Sequence, residues 1–572
     1  MDTDKGKNSA ASPSSGLPIR VNLRSSVVSP VVALAAVLLL FAALEFFIPI
    51  RTTVQIGADE GFELAKATLC LNGYKLYSDV WCDHPPLHTS LITEAVKYIN
   101  SSVAGPRLVT IGFAALLIAS VFLIAFRLGS LTVVGHGVLT APPPHSDRIG
   151  LGAVRTPRPT INESGLLCGV ITTVLLIASP GFLELSSSCM MEIPALAPAV
   201  TALCVLFWNG SRSWYIGPVI AGLLFGISLE MKILGLLLYP VAALVLWTQL
   251  EFPRAVRSML ILGATSVLTL VGLDLVIDKG AFMMNFHQSW MSHFAPTVSS
   301  EYGSPSDHRF PFTLLIKNWD MTLPAVIGIV WLVRRSRKTR SALVPLGWLG
   351  LVLIAFVTHK PWWSYYYVHI AIPLCLCAGF GLARVMELSV PFASRTSNRA
   401  VEATVHAASR KFVNSRLRRR WVITMILPAS AYALFALLWI GSRAYLEISE
   451  IRKSPQTYYS LVLTEIDRFK PFTKWIYTDN LTYSFYSRIP VPPQLAVVSL
   501  KRLWPGEITV AAIADDVRKY KPELIALRND TRELPFQELL NTEYRLVYQD
   551  AENRLYAHRS IANQPDMAAA KE

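Results

Sequence analysis

The chain is poor in charge. Asp, Glu, Lys and Arg make up 16% of its 572 residues, where soluble domains run to about a quarter. With 52% hydrophobic residues and a mean hydropathy of +0.41, this shortage excludes a soluble globular protein. Cysteine is scarce as well: seven residues, with no metal-ligand spacing. Cys168, Cys189, Cys204, Cys375 and Cys377 lie in or beside apolar runs and read as packing residues. Cys70 and Cys82 share one polar loop, where a disulfide and two separate thiols both stay open. A Gly-rich phosphate loop is missing, and so is any sustained internal repeat. What the chain does have is long apolar runs, which make it a polytopic α-helical membrane protein. The formal net charge of +14 collects in short loops between those runs, so it reads as topology rather than nucleic-acid binding.

About eleven spans are expected, near 27–50, 107–126, 165–183, 193–208, 214–230, 233–249, 258–277, 319–333, 342–358, 366–386 and 422–441. Several fall short of the roughly 20 residues a perpendicular helix needs, so broken helices are expected in the middle of the set. Residues 1–26 form a Ser/Ala/Gly-rich, disordered cytoplasmic segment, 27–442 the membrane domain and 443–572 a soluble tail. The basic loop Arg334 to Arg340 marks the cytoplasmic side. Counting from it puts the N-terminus, the 127–164 loop and Arg410 to Arg420 on that side too. The loop 51–106 and the tail then lie outside, in a multi-pass protein of the cytoplasmic (inner) membrane. In the tail, Leu461–Phe469 and Ile513–Tyr520 read as helices. Lys474–Thr478, Lys521–Leu527, Tyr544–Tyr548 and Leu555–His558 read as strands, so the tail is a small extracytoplasmic α/β domain.

Four polar groups gather at the outer level of the membrane. The first is Asp59-Glu60, close behind the first span and ahead of the polar, aromatic loop with Tyr77, Asp83 and His84. The second is the turn Glu184 to Glu192, the third Glu230-Met231-Lys232, and the fourth His359-Lys360-Pro361-Trp362-Trp363-Ser364-Tyr365-Tyr366. Charge where hydrocarbon meets water is costly unless it faces protein or a wet cavity. Carboxylates there suit a general base, and lysines suit a phosphate whose charge must be stabilised. Each group also has a plainer alternative. Asp59 and Glu60 fit the positive start of a helix, Glu192 a helix start before Pro194, Lys232 a snorkelling anchor and the Trp-Tyr run an interfacial belt. His287, His293 and His308 lack ligand spacing, and Glu45 inside the first span is left unexplained.

The order Asp59-Glu60, then Leu71-Asn72-Gly73, Leu76-Tyr77, Asp79, Trp81 and Pro85-Pro86-Leu87, resembles integral-membrane glycosyltransferases of the GT-C superfamily. The nearest branch is the bacterial relatives of dolichyl-phosphate-mannose protein mannosyltransferases and of the lipid A aminoarabinose transferase. The resemblance spans roughly 27–390, with Met191-Glu192-Ile193-Pro194 and Met231-Lys232-Ile233-Leu234-Gly235 in the same order; the tail adds little to it.

The resemblance implies a multi-span bundle and a polyprenyl-phosphate-linked sugar as donor. It implies that Asp59 is the catalytic acid position with Glu60 beside it, that Glu192 stands where relatives often carry Asp, and that Lys232 lies near the donor phosphate. His359 and Lys360 are further candidates for the phosphate. Tyr77, Asp83, His84, Tyr365 and Tyr366 are candidates for the sugar or the acceptor. The expected function is sugar transfer to an acceptor hydroxyl on a protein, lipid or glycan at the outer face, inverting the anomeric centre. No cofactor is implied with certainty, no metal ligand set is assigned, and a role for a divalent cation is left open. A lipid or solute transporter or flippase is the alternative.

Overall fold

The computed structural model describes residues 29–53, 55–99, 102–134, 161–209, 214–277, 281–291, 298, 304–397, 431, 434–435, 438–529 and 536–564. Residues 1–26, most of the 127–164 loop, His293, the basic segment 410–420 and most of the span expected at 422–441 lie outside them.

Ser29 accepts from the Val31 amide at 3.3 Å and Pro30 holds the first helical position, so α1 starts sharply and runs Pro30–Phe46. Gly57, at φ 58°, then turns the chain into α2, Ala58–Leu71. Helices α3 (Leu87–Tyr98), α4 (Ala104–Val134), α5 (Ile161–Ile177), the short α6 (Phe182–Ser186), α7 (Glu192–Asn209) and α8 (Ile216–Met231) follow. At Lys232 the backbone swings out to φ −158°, ψ 132°, and a 3-10 turn, Ile233–Leu238, leads into α9, Tyr239–Gln249. This is a broken helix of the kind the short apolar runs predict, and the break falls on a site candidate. Then come α10 (Phe252–Ile277), the short α11 (Phe282–Asn285) and α12 (Thr313–Lys317), α13 (Trp319–Ser336), α14 (Leu343–Thr358) and α15 (Tyr367–Ser397).

Among the described residues five helical stretches are long and apolar enough to cross a membrane: 104–130, 192–209, 252–277, 340–358 and 364–386. Four shorter apolar helices accompany them, at 30–46, 163–177, 216–231 and 233–249. The more polar α13 occupies the span expected at 319–333. Leu260, Val267, Leu268, Leu275 and Val276 leave a bare apolar face on α10, which hydrocarbon covers without cost. Where α13 meets α15, Gly328 lets the backbones touch: a Cβ there would sit 1.8 Å from the Cys377 carbonyl oxygen.

The tail forms a four-stranded sheet in the order β1-β2-β4-β3, with β1 Ile476–Thr478, β2 Leu524–Arg528, β3 Tyr544–Gln549 and β4 Asn553–His558. Strands β1 and β2 are parallel, joined through the helix Val510–Tyr520, which buries Ile513, Ala514 and Val517. The other pairs are antiparallel. All four strands lie where the sequence pattern puts them. The tail does not stand apart, however. Its core is continuous with the first loop: Ala65, Leu69, Val80 and Trp81 bury against Val462, Ile466, Trp475, Ile476 and their neighbours. Tyr74 meets Trp475 at 5.7 Å, and the Arg502 guanidinium lies 5.0 Å from the Trp81 ring.

Candidate active site

Between the membrane helices and the tail lies a cavity of about 340 Å³. Ala58, Asp59, Phe62 and Glu63 of α2 form one wall, with Asp83 and His84 beside them. Lys232, Met190 and Met191 close the side toward the helix bundle, with Trp363 and Tyr365, while Val497 to Lys501 of the tail close the opposite side. Residues 59 and 63 are one helical turn apart, so α2 aims both carboxylates the same way.

Asp59 is partly buried and carries no ion-pair partner of its own among the described salt bridges. Burial first, then repulsion from Glu192, push its carboxyl up to about 6, while Lys232 and Lys501 pull the other way. It is therefore poised to take a proton near neutral pH. Lys232 stands at the break after α8, ion-paired with Glu192 at the first turn of α7, and its ammonium is 5.4 Å from the ring centres of both Tyr365 and Tyr366. That site lets a cation face the cavity while one carboxylate and two aromatic faces offset its charge.

Asp83 accepts from Lys501 at 2.8 Å and lies 3.3 Å from His84 Nε2. Burial works against its charge, yet His84 and Lys501 hold its carboxyl well below the usual range. Behind this wall, Glu63 Oε1 accepts from Lys66 at 2.7 Å and Glu63 Oε2 contacts His88 Nδ1 and Thr89 Oγ1, each at 3.3 Å. Burial again opposes ionisation, but Lys66 and His88 lower the Glu63 carboxyl to about 2. Two charged pairs thus brace the wall that carries Asp59.

Several expected site residues land elsewhere. Glu60 is fully buried and turned away from the cavity. Its two oxygens take Arg107 Nε at 2.9 Å and Arg107 Nη2 at 2.7 Å, and the Cys189 amide adds a third bond at 2.7 Å. It ties α2 to α4 and to the turn before α7. Tyr77, at φ 65°, donates to the His84 carbonyl at 2.8 Å and shapes the loop rather than lining the cavity. His359 and Lys360 are exposed beyond the end of α14 and outside the cavity wall. Tyr366 is buried behind Tyr365. Glu192 lies outside the cavity wall and acts on the site through its ion pair with Lys232 and its repulsion of Asp59.

No disulfide joins Cys70 and Cys82: the Cys82 sulfur contacts Lys66 Nζ at 3.5 Å and donates to the His84 carbonyl at 3.2 Å. Burial raises that thiol to about 11. Glu184 turns to the helix 438–453, its amide donating to Glu447 at 3.2 Å, and Glu45 accepts from Ser186. Among the described residues no three His, Cys, Asp or Glu side chains gather as a metal site.

Among the charged cavity residues, sequence reasoning missed Glu63 and Lys501. Lys501 is the harder of the two to find. It lies in a tail that adds little to the resemblance, and nothing local in Leu500–Leu503 distinguishes it from a surface lysine.

No protein-family model matches this chain, and no curated protein sequence does. Solved structures do. ArnT from Cupriavidus metallidurans bound to undecaprenyl phosphate superposes with a TM-score of 0.55 at 15% identity, over 92% of this chain and 97% of that one. The apo state of the same protein gives 0.56 at 14% identity, over 93% and 99%. The match covers more than nine tenths of this chain, membrane helices and tail alike, so the chain shares the fold of that protein.

Proposed function

We propose that this protein transfers a sugar from a polyprenyl-phosphate donor to an acceptor hydroxyl at the surface of the membrane. The observation that carries the reading is the pairing of Asp59 and Lys232 on one cavity: a carboxylate raised to about 6 and an ammonium at a helix break. The likeness to a protein solved with undecaprenyl phosphate supports a donor of that class.

In this mechanism the lipid tail stays among the helices and the phosphate meets Lys232, which shifts from Glu192 toward it. Asp59 accepts the proton of the attacking hydroxyl, and the oxygen forms its bond to the anomeric carbon as the bond to phosphate breaks. Phosphate leaves as the polyprenyl phosphate anion, its charge held by Lys232, and a single displacement inverts the centre. Tyr365 and the Asp83–His84 pair sit where a sugar ring or the acceptor would lie. We place eleven spans, with the N-terminus cytoplasmic and the tail outside, in the cytoplasmic membrane. The sugar, hexose or pentose, and the acceptor, protein, lipid or glycan, follow from the assay rather than from the fold.

The test is transfer from purified polyprenyl-phosphate sugars to a native envelope extract. Product with the wild type and none with Asp59→Asn, at equal donor binding, supports the reading. Equal product from both removes Asp59 as the base.

A further inference from the structure

The end of the bundle opposite the cavity holds a second unusual charge. Arg335 closes the last turn of α13 and is only 8% exposed. From there α14 runs about 24 Å, at 1.5 Å per residue, back toward Trp363 and Tyr365 of the cavity. The Arg335 Nε and Nη2 atoms are buried and have no hydrogen-bond partner. A guanidinium out of water is costly unless an anion meets it.

The neighbours add to that cost. Trp331 is one turn before Arg335 on the same face of α13, and Arg384 of α15 lies over its ring, 5.8 Å from the centroid. A second cation is therefore brought beside the first. Arg334, Arg337, Lys338 and Arg340 flank Arg335 in the sequence, and no described salt bridge neutralises Arg335.

The unsatisfied atoms form one edge of the guanidinium. In Arg107 the same edge, Nε and Nη2, grips both oxygens of Glu60. Two oxygens held about as far apart as those of a carboxylate fit it, and a phosphate diester offers such a pair. Phosphate groups are dense at the level where a spanning helix ends in arginines.

We propose that Arg335, with Arg384 and Trp331 beside it, forms a binding site for a phosphate group at the membrane end opposite the cavity. The site is independent of the sugar-transfer reading and needs only that the bundle spans a bilayer.

The experiment uses the purified full chain, stripped of lipid in detergent. Binding of phosphatidylglycerol and of diacylglycerol is measured by native mass spectrometry, and inorganic phosphate alone by its shift of the melting temperature. Phosphatidylglycerol bound about tenfold more tightly than diacylglycerol, which has no phosphate, with that preference lost in Arg335→Gln and kept in the exposed pair Arg334→Gln/Arg337→Gln, supports a lipid phosphate. A melting shift by inorganic phosphate that Arg335→Gln abolishes, without any lipid preference, supports the same site with free phosphate as its source. Arg335→Lys keeps the charge without the fork and so guards against a misfolded Gln variant; it should lose most of the preference at an unchanged melting temperature. Equal binding of both lipids with no phosphate effect overturns the proposal. So does a loss in the exposed pair as large as in Arg335→Gln, or wild-type binding by Arg335→Lys.

Discussion

Lys501 donates to Asp83 at 2.8 Å, joining the tail to the first loop across 418 residues of sequence. The contact sits on the wall of the cavity, so the tail is part of the site. Lys501→Ala should lower transfer about tenfold, since a charge-assisted hydrogen bond contributes about 1.5–3 kcal/mol, while Lys501→Arg should restore most of it. Turnover assays on the two variants check this; equal activity of Lys501→Ala and wild type would leave the pair as a surface clasp.

A base raised to about 6 predicts a pH profile. The rate should climb as pH passes through about 6 and Asp59 loses its proton, and level off above 7. Asp59→Asn should cut transfer about 10²–10⁴-fold. The sign for stability is opposite. The folded state holds this proton more tightly than the unfolded chain, so ionised Asp59 lowers stability above pH 6, and Asn should raise the melting temperature at pH 7. Below about pH 4, where the carboxyl is protonated folded or unfolded, the gain should vanish. Thermal melts at the two pH values decide it.

For Lys232→Ala, donor affinity should drop tenfold or more, and stability should drop too, because Glu192 is left buried without its cation. The double variant Lys232→Ala/Glu192→Ala should recover the melting temperature but not the affinity. Recovery of both, read by donor binding and melting together, would mean Lys232 serves the fold alone.

Glu60 and Asp59 are neighbours with opposite expected phenotypes. Glu60→Gln breaks a buried, doubly bonded pair with Arg107, a loss of about 3–5 kcal/mol. Yield and melting temperature should fall, while the folded fraction keeps a near-normal turnover number. A stable but inactive Glu60→Gln would return it to the reacting groups.

A cysteine placed at Ser336 should react with an impermeant reagent only after cells are opened. Labelling in intact cells would reverse the proposed orientation.

The apolar runs located most of the described helices, and short apolar or aromatic runs located the four described tail strands, because both patterns are local. Asp59 was legible for the same reason: a carboxylate at the end of a span needs a cavity or a cap. The different placement of Asp59 and Glu60 was not, since it depends on Arg107, 47 residues away, reaching back to Glu60. His359 and Lys360 share the basic chemistry of Lys232, but α14 ends before them and leaves them exposed. Lys501 was invisible because only the shared core of Trp81, Leu69 and Trp475 carries it to Asp83.

That shared core has a consequence for how the protein is made. The ribosome adds roughly 5–20 residues per second, so about 20–80 s pass between the synthesis of Asp83 and that of Lys501. Through that interval Leu69, Val80 and Trp81 have no tail to bury against, and the cavity lacks one side. An unfinished chain can be threaded through the bilayer and still offer no assembled cavity, whose last wall arrives only once the final strands have folded down.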